Sequence, residues 1–182
     1  MRESQKMKKF VWSLMGVGAF LVAAQVAQSA LTDNQKFTVT VAKNVSITAP
    51  VADQSVAMDP NSNSNVSFPA QVWNVKGNTL NGVSVTFSTD QAFTNTTDNT
   101  YKRDAQLSLA TASSVGPAAW TIGTGTDATN YAGGDGVATV TASSDKPGQA
   151  NFNLTVDFLT VDAAEVAEGS YETTVTGTVT EN

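Results

Sequence analysis

Stretch after stretch of this chain alternates one for one between apolar and small polar residues, and that alternation limits what it can fold into. In KFTVTVA, residues 36–42, Phe37, Val39 and Val41 fall on one face and the threonines on the other. A period of two is the signature of a strand that buries one face and wets the other. The same pattern recurs with Val45 and Ile47, with Val83, Val85 and Phe87, and with Leu107 and Leu109. It returns with Trp120 and Ile122, with Val140 between Ala138 and Ala142, and with Phe152, Leu154, Val156 and Phe158. A last run carries Tyr171, Val175 and Val179. Turn-forming stretches separate these runs at 59–65, 76–78, 94–99, 123–136 and 143–149. Their glycine, proline, asparagine and aspartate supply the dihedrals that tight turns need. Long helical periodicity is absent. The expected fold is all-β, an antiparallel β-sandwich of immunoglobulin-like or jelly-roll type with about nine or ten strands. VDAAEVAEGS, 161–170, reads as the connection into the last strand, with room for one helical turn.

The first thirty residues are of a different kind. Arg2, Lys6, Lys8 and Lys9 precede an apolar run from Phe10 to Ala24, and QVAQSA follows. A basic start, a short apolar stretch and a small-residue cleavage site make a secretory signal peptide, expected over 1–30. Cleavage falls after Ser29, with Ala27 at the −3 position, or after Ala30. Translation starts at Met1 or at Met7, which opens the compact MKKFVWSL. The apolar run is shorter than the ~20 residues of a bilayer-spanning helix; an uncleaved anchor is the alternative. The expected organisation is a signal peptide followed by a single β-sandwich domain, 31–182, secreted or displayed at the cell surface after transit through the periplasm. No second apolar segment follows, so no membrane span is expected after signal cleavage.

Residues 31–182 hold six basic and fifteen acidic side chains, a net charge of −9. Like charge disfavours nucleic acid and anionic membrane surfaces as partners. The chain has no cysteine and no histidine. It therefore has no disulfide framework and no Ser–His or Cys–His nucleophile pair. A zinc site of the usual His/Cys type is also excluded.

Few residues remain as candidates for a site. The loop from Gly123 to Gly136 sets Asp127, Asn130 and Asp135 among five glycines. Oxygen ligands on such a loop suit calcium, but the spacing departs from the twelve-residue EF-hand pattern, and a solvated hairpin loop is expected. Asp157, Asp162, Glu165, Glu168 and Glu172 form an acidic stretch. Paired carboxylates run glycoside hydrolysis, yet nothing in the sequence puts two in one pocket. A charged face that keeps a β protein soluble is the simpler reading. Trp73 and Trp120 sit in apolar strand patterns and read as core, whereas Tyr131, in a glycine-rich loop, is the better exposed sugar platform. Asn-x-Ser/Thr triplets begin at Asn44, Asn65, Asn95 and Asn153, and act as glycosylation sites only in a host that has the machinery. No catalytic, cofactor or metal residue is assigned, and the chain is expected not to be an enzyme.

The N-terminal KFTVTVAKNVSITAP and the closing EGSYETTVTGTVTEN, with its Gly-x-Tyr-x-x-Thr-Val-Thr pattern, frame Thr/Ser-rich strands and Asn/Gly-rich loops. This layout resembles bacterial surface β-sandwich proteins of the fimbrial-subunit and spore-coat-U type. It resembles the WxL-like cell-wall domains more weakly, because the matching places read Trp73-Asn74-Val75 and Trp120-Thr121-Ile122. The fimbrial resemblance implies strand exchange, in which Phe37, Val39 and Val41 of one subunit complete a neighbour's sheet. The alternative for the same residues is a first strand in their own domain. The expected function is a non-enzymatic structural or adhesive surface protein, a pilus, fibre or matrix subunit that pairs with itself or with other surface proteins. A carbohydrate- or calcium-binding β-sandwich module is the alternative.

Overall fold

The computed structural model describes residues 31–182, so the signal peptide expected over 1–30 lies outside the described residues. The chain divides between Val39 and Thr40. Of the part before the division, the described residues carry no secondary structure.

Thr40–Asn182 forms one compact unit. Its larger sheet runs in the order β1 (Val45–Thr48), β3 (Gln71–Gly77), β11 (Gly148–Phe158), β7 (Ala105–Val115), β9 (Thr126–Ala128). A two-residue strand, β2 (Val66–Ser67), joins β11 beyond the end of β3. The second sheet runs β13 (Val175–Glu181), β4 (Val83–Thr89), β10 (Thr139–Ser144), β8 (Trp120–Thr124). A small third ribbon is β12 (Tyr171–Glu172), β5 (Phe93–Asn95), β6 (Lys102–Arg103). Every pairing is antiparallel. The molecule is an all-β sandwich, as the alternation predicts.

The alternating residues explain the packing. Val83, Val85 and Phe87 of β4 are fully buried, as are Val140 of β10 and Phe152 of β11. The Phe87 ring meets Trp73 edge-on at 5.2 Å and Phe152 at 6.3 Å, which ties the two sheets face to face. Edge-to-face contacts of this kind add about 0.5–1.5 kcal/mol each beyond the area they bury. Trp120 caps the far end of this row, 5.4 Å from Phe152.

The two long sides of the sandwich differ. On one, the chain leaves β8 in the second sheet, passes Gly125 and enters β9 in the first, and the Gly125 carbonyl accepts the Leu109 N–H at 2.8 Å. Backbone thus closes that side. The expected hairpin loop at 123–136 is accordingly part strand, followed by a 3-10 turn at Tyr131–Gly133. On the other side lie the edge strands β1 and β13, which contact each other. The connection at 161–170 contains one 3-10 turn, Ala163–Glu165.

KFTVTVA is not a strand. Residues 31–44 carry no strand, and Phe37, Val39 and Val41 are 83%, 88% and 78% exposed. Alternation supplies two faces but not a neighbour, and Asn74–Gly77 of β3 already pair with Val45–Thr48 of β1.

Candidate functional site

The open side of the sandwich carries the most distinctive local structure. β1 covers β3 only from Asn74 to Gly77. The rest of that edge, Val66–Trp73 along β2 and β3, has no strand on its outer side among the described residues. Pro69 sits there, a residue suited to an edge because it has no N–H to offer. Residues 49–58 cross this edge as a strap. They form no strand, and among the described residues no hydrogen bond joins them to the rest of the fold.

Beneath the strap lie two adjoining cavities of about 540 and 500 Å³. They share Phe68, Phe93 and Tyr171 as walls; Phe158 closes one and Trp73 the other. The aromatic rings form a row: Phe68 to Phe93 at 5.9 Å, Phe93 to Phe158 at 5.2 Å, Phe158 to Tyr171 at 5.4 Å. Phe93 and Phe158 are buried, while Phe68, Val156 and Tyr171 are half-buried under the strap. Among the described residues, Asp53, Glu168 and Glu172 are the charged residues of the lining, and no lysine or arginine joins them.

The rim of this cleft is firmly held. Asn95 is buried; its Nδ2 donates to the Glu168 carbonyl at 3.0 Å, and its Oδ1 accepts from the Thr97 N–H at 2.9 Å. Thr160 is fully buried, donating its hydroxyl to the Ser64 carbonyl at 2.9 Å and its N–H to Asn65 Oδ1 at 3.1 Å. Val161 then takes φ 56°, left-handed backbone that a β-branched residue rarely adopts. A hydrogen-bonded polar rim thus surrounds an apolar floor whose cover carries no hydrogen bond to the fold among the described residues.

The residues singled out in the sequence scatter. Asp127 accepts the Thr139 N–H at 2.7 Å, and Asn130 and Asp135 bridge each other through their backbones. They serve a turn. Among the described residues no group of three or more acidic side chains is placed to hold a metal. Asp157 accepts from Ser67 Oγ, Asp162 caps the 3-10 turn at 163–165, and Glu165 lies 3.7 Å from Arg103. Only Glu168 and Glu172 of the acidic stretch reach the cleft. Trp73 is core and Trp120 is half-buried against it. Tyr131 is exposed and, among the described residues, has no second aromatic stacked with it. Of the Asn-x-Ser/Thr asparagines, Asn95 is a buried structural residue and Asn65 holds Thr160.

The cleft itself escaped sequence reading. Its strap, APVADQSVAM, has no alternation, and strap and walls together come from five separated segments. Phe68 just before Pro69 was the one local hint: an inward aromatic where an edge strand is interrupted.

Comparison with known proteins finds no matching family, no similar curated protein and no similar solved structure.

Proposed function

We propose that this chain is an exported, non-enzymatic structural or adhesive surface protein whose copies join by β-strand addition into a pilus, fibre or matrix. The observation that carries this reading is the segment Phe37–Val41. It keeps the pattern of a half-buried strand, yet it holds three large apolar side chains in solvent and has no ladder partner among the described residues. Exposing such a segment is unfavourable by about 1.5–3 kcal/mol for each side chain that burial would shield, and a neighbour's sheet edge provides that burial together with main-chain hydrogen bonds. The signal-peptide pattern of residues 1–30 supports a destination outside the cytoplasm, where a cysteine-free strand ladder needs no redox control. The scattered carboxylates and the lack of histidine give no support to an enzyme.

The test is assembly of purified residues 31–182, followed by sedimentation and electron microscopy. Concentration-dependent fibres or oligomers are expected. The Phe37→Asp/Val39→Asp variant is expected to keep the native circular-dichroism spectrum and to stay monomeric. If wild type and variant are both monomers at millimolar concentration, the assembly reading is wrong.

A further inference from the structure

We propose that the cleft under residues 49–58 is the acceptor for this segment: residues Lys36–Ala42 of a second copy lie along the outer edge of Val66–Trp73 and displace the strap. The inference rests on the assembly reading above and adds the surface that receives the strand.

Four observations converge on it. The first is fit. Phe37, Val39 and Val41 span about 13 Å on one face of an extended chain, and the cleft offers an apolar floor of Phe68, Phe93 and Tyr171 beside an edge that has no partner. The second is charge. Residues 36–43 contain Lys36 and Lys43 and no acid, in a region of net charge −9. With the strap displaced, the cleft keeps Glu168 and Glu172 in its lining, and among the described residues no lysine or arginine lines it. Lys43 is already beside Glu181 at 3.1 Å, so Lys36 is the cation left to meet these acids.

The third observation is reach, and it selects a second copy. β1 runs antiparallel to β3, with Val45 opposite Gly77 and Thr48 opposite Asn74. The chain is clamped at the Gly77 end: Asn78 donates from Nδ2 to the Ala42 carbonyl at 2.8 Å and accepts the Asn44 N–H on Oδ1 at 2.6 Å. The unpaired edge starts at the opposite end of β1 and runs on to Val66. From Gly77 to Val66 is about 36 Å of strand at ~3.3 Å per residue. The nine residues 36–44 reach about 30–32 Å at full extension, before any reversal of direction. A copy's own segment therefore cannot fill its own cleft, whereas a neighbour's meets it without constraint.

The fourth is what must be displaced. The strap has no hydrogen bond to the fold among the described residues, so replacing it with a paired strand adds main-chain bonds and sacrifices none of the strap's own. Pro69 interrupts the edge and limits indiscriminate pairing, which leaves selection to the side chains that enter the cavities.

The experiment uses residues 31–182 carrying Val39→Asp, an exposed position, to hold the acceptor monomeric. A synthetic peptide of residues 34–43 is titrated in and followed by backbone amide NMR. Shifts are expected at Val66–Trp73, at Tyr171–Val175 and in the strap, and a peptide carrying Val39→Asp is expected to bind at least tenfold more weakly. Because the chain has no cysteine, a second readout is direct. Thr38→Cys or Thr40→Cys protein, mixed with Val72→Cys protein under oxidising conditions, is expected to give a covalent heterodimer, and mixing with Thr176→Cys protein is not. Shifts confined to the β13 edge, crosslinking to position 176, or no binding at all would overturn the assignment. If wild-type chains polymerise while the peptide leaves Val66–Trp73 unmoved, the cleft is not the acceptor and assembly uses another surface. If the peptide binds the cleft but residues 31–182 remain monomeric, the cleft stands and the assembly reading falls.

Discussion

Two apolar clusters sit in the same unit, and they are closed in different ways. The larger is built on Trp73, Phe87, Leu107, Val140 and Phe152 between two full sheets. The smaller holds Phe93, Ala105 and Phe158, with Met58, Val66, Phe68, Val166 and Tyr171 partly buried around them. Both are rich in aromatic rings at similar spacing. What differs is the cover. Long ladders seal the larger cluster on both faces, whereas strands of two or three residues and a strap without ladder bonds seal the smaller. Apolar side chains set the drive to bury, but the hydrogen-bonded backbone around them decides whether burial is complete.

The largest effect expected from this contrast concerns single rings. Phe87→Ala should lower unfolding stability by about 3–5 kcal/mol, since a sealed core cannot collapse around the void. Phe158→Ala should cost roughly half as much, because its ring borders a cleft that already has open space. Urea denaturation of both variants checks this, and equal losses would abolish the distinction. Next comes the rim. Asn95→Ala removes partners from the Glu168 carbonyl and from the Thr97 and Asp98 amides, at a cost of about 1–3 kcal/mol. Hydrogen exchange should accelerate over 166–172 and stay unchanged in β4 and β10.

Arg103 gives a smaller effect of opposite sense. Its guanidinium is nine-tenths buried; Nη1 donates to the Lys102 carbonyl at 2.8 Å, while Nε and Nη2 have no hydrogen-bond partner among the described residues. Glu165, 3.7 Å away, is mostly exposed. Arg103→Met should leave stability unchanged or raise it by about 1 kcal/mol, as replacing a poorly paired buried charge often does. A large loss in thermal denaturation would show that the charge organises the smaller cluster.

The smallest effect is electrostatic and should be alike in both regions. The Thr100 hydroxyl, with the Thr100 N–H, holds the Asp98 carboxyl below its ordinary range; the Ala119 N–H does the same for Asp145 against an opposing desolvation, with Lys146 adding to the lowering. A carboxyl depressed in the folded state adds stability above its ordinary pKa and loses it as pH falls through the folded value. Asp98→Asn and Asp145→Asn should therefore be slightly destabilising at pH 7, with the deficit shrinking below about pH 4. Denaturation midpoints at pH 7 and pH 3 check this; a deficit that grows in acid would contradict it.

Alternation made the main sandwich legible, because Val83, Val85, Phe87, Val140, Phe152 and Leu154 are buried where a period of two puts them. It misled at Phe37–Val41 for an instructive reason: the pattern states which side chains share a face, not which edge will receive them. β9 was hidden in a glycine-rich stretch, since TDA alone has no strand pattern and pairs because β7 offers it an edge. The cleft was illegible because its walls are distant in sequence and its cover is defined by bonds that do not form. The left-handed Val161 has no signal either, being set by the Thr160 contacts that precede it.

The place of β11 has a consequence for the order of folding. It lies between β3 and β7 and pairs with both over most of its length, yet it is made of residues 148–158. Before those residues are available, the larger sheet is split into fragments that have nothing to join them. Completion of the larger sheet therefore waits for residues 148–158, and ladders this distant in sequence close slowly. A nascent chain stopped before Gly148 can pair β1 with β3 and β7 with β9, but it has nothing to join these two halves of the larger sheet.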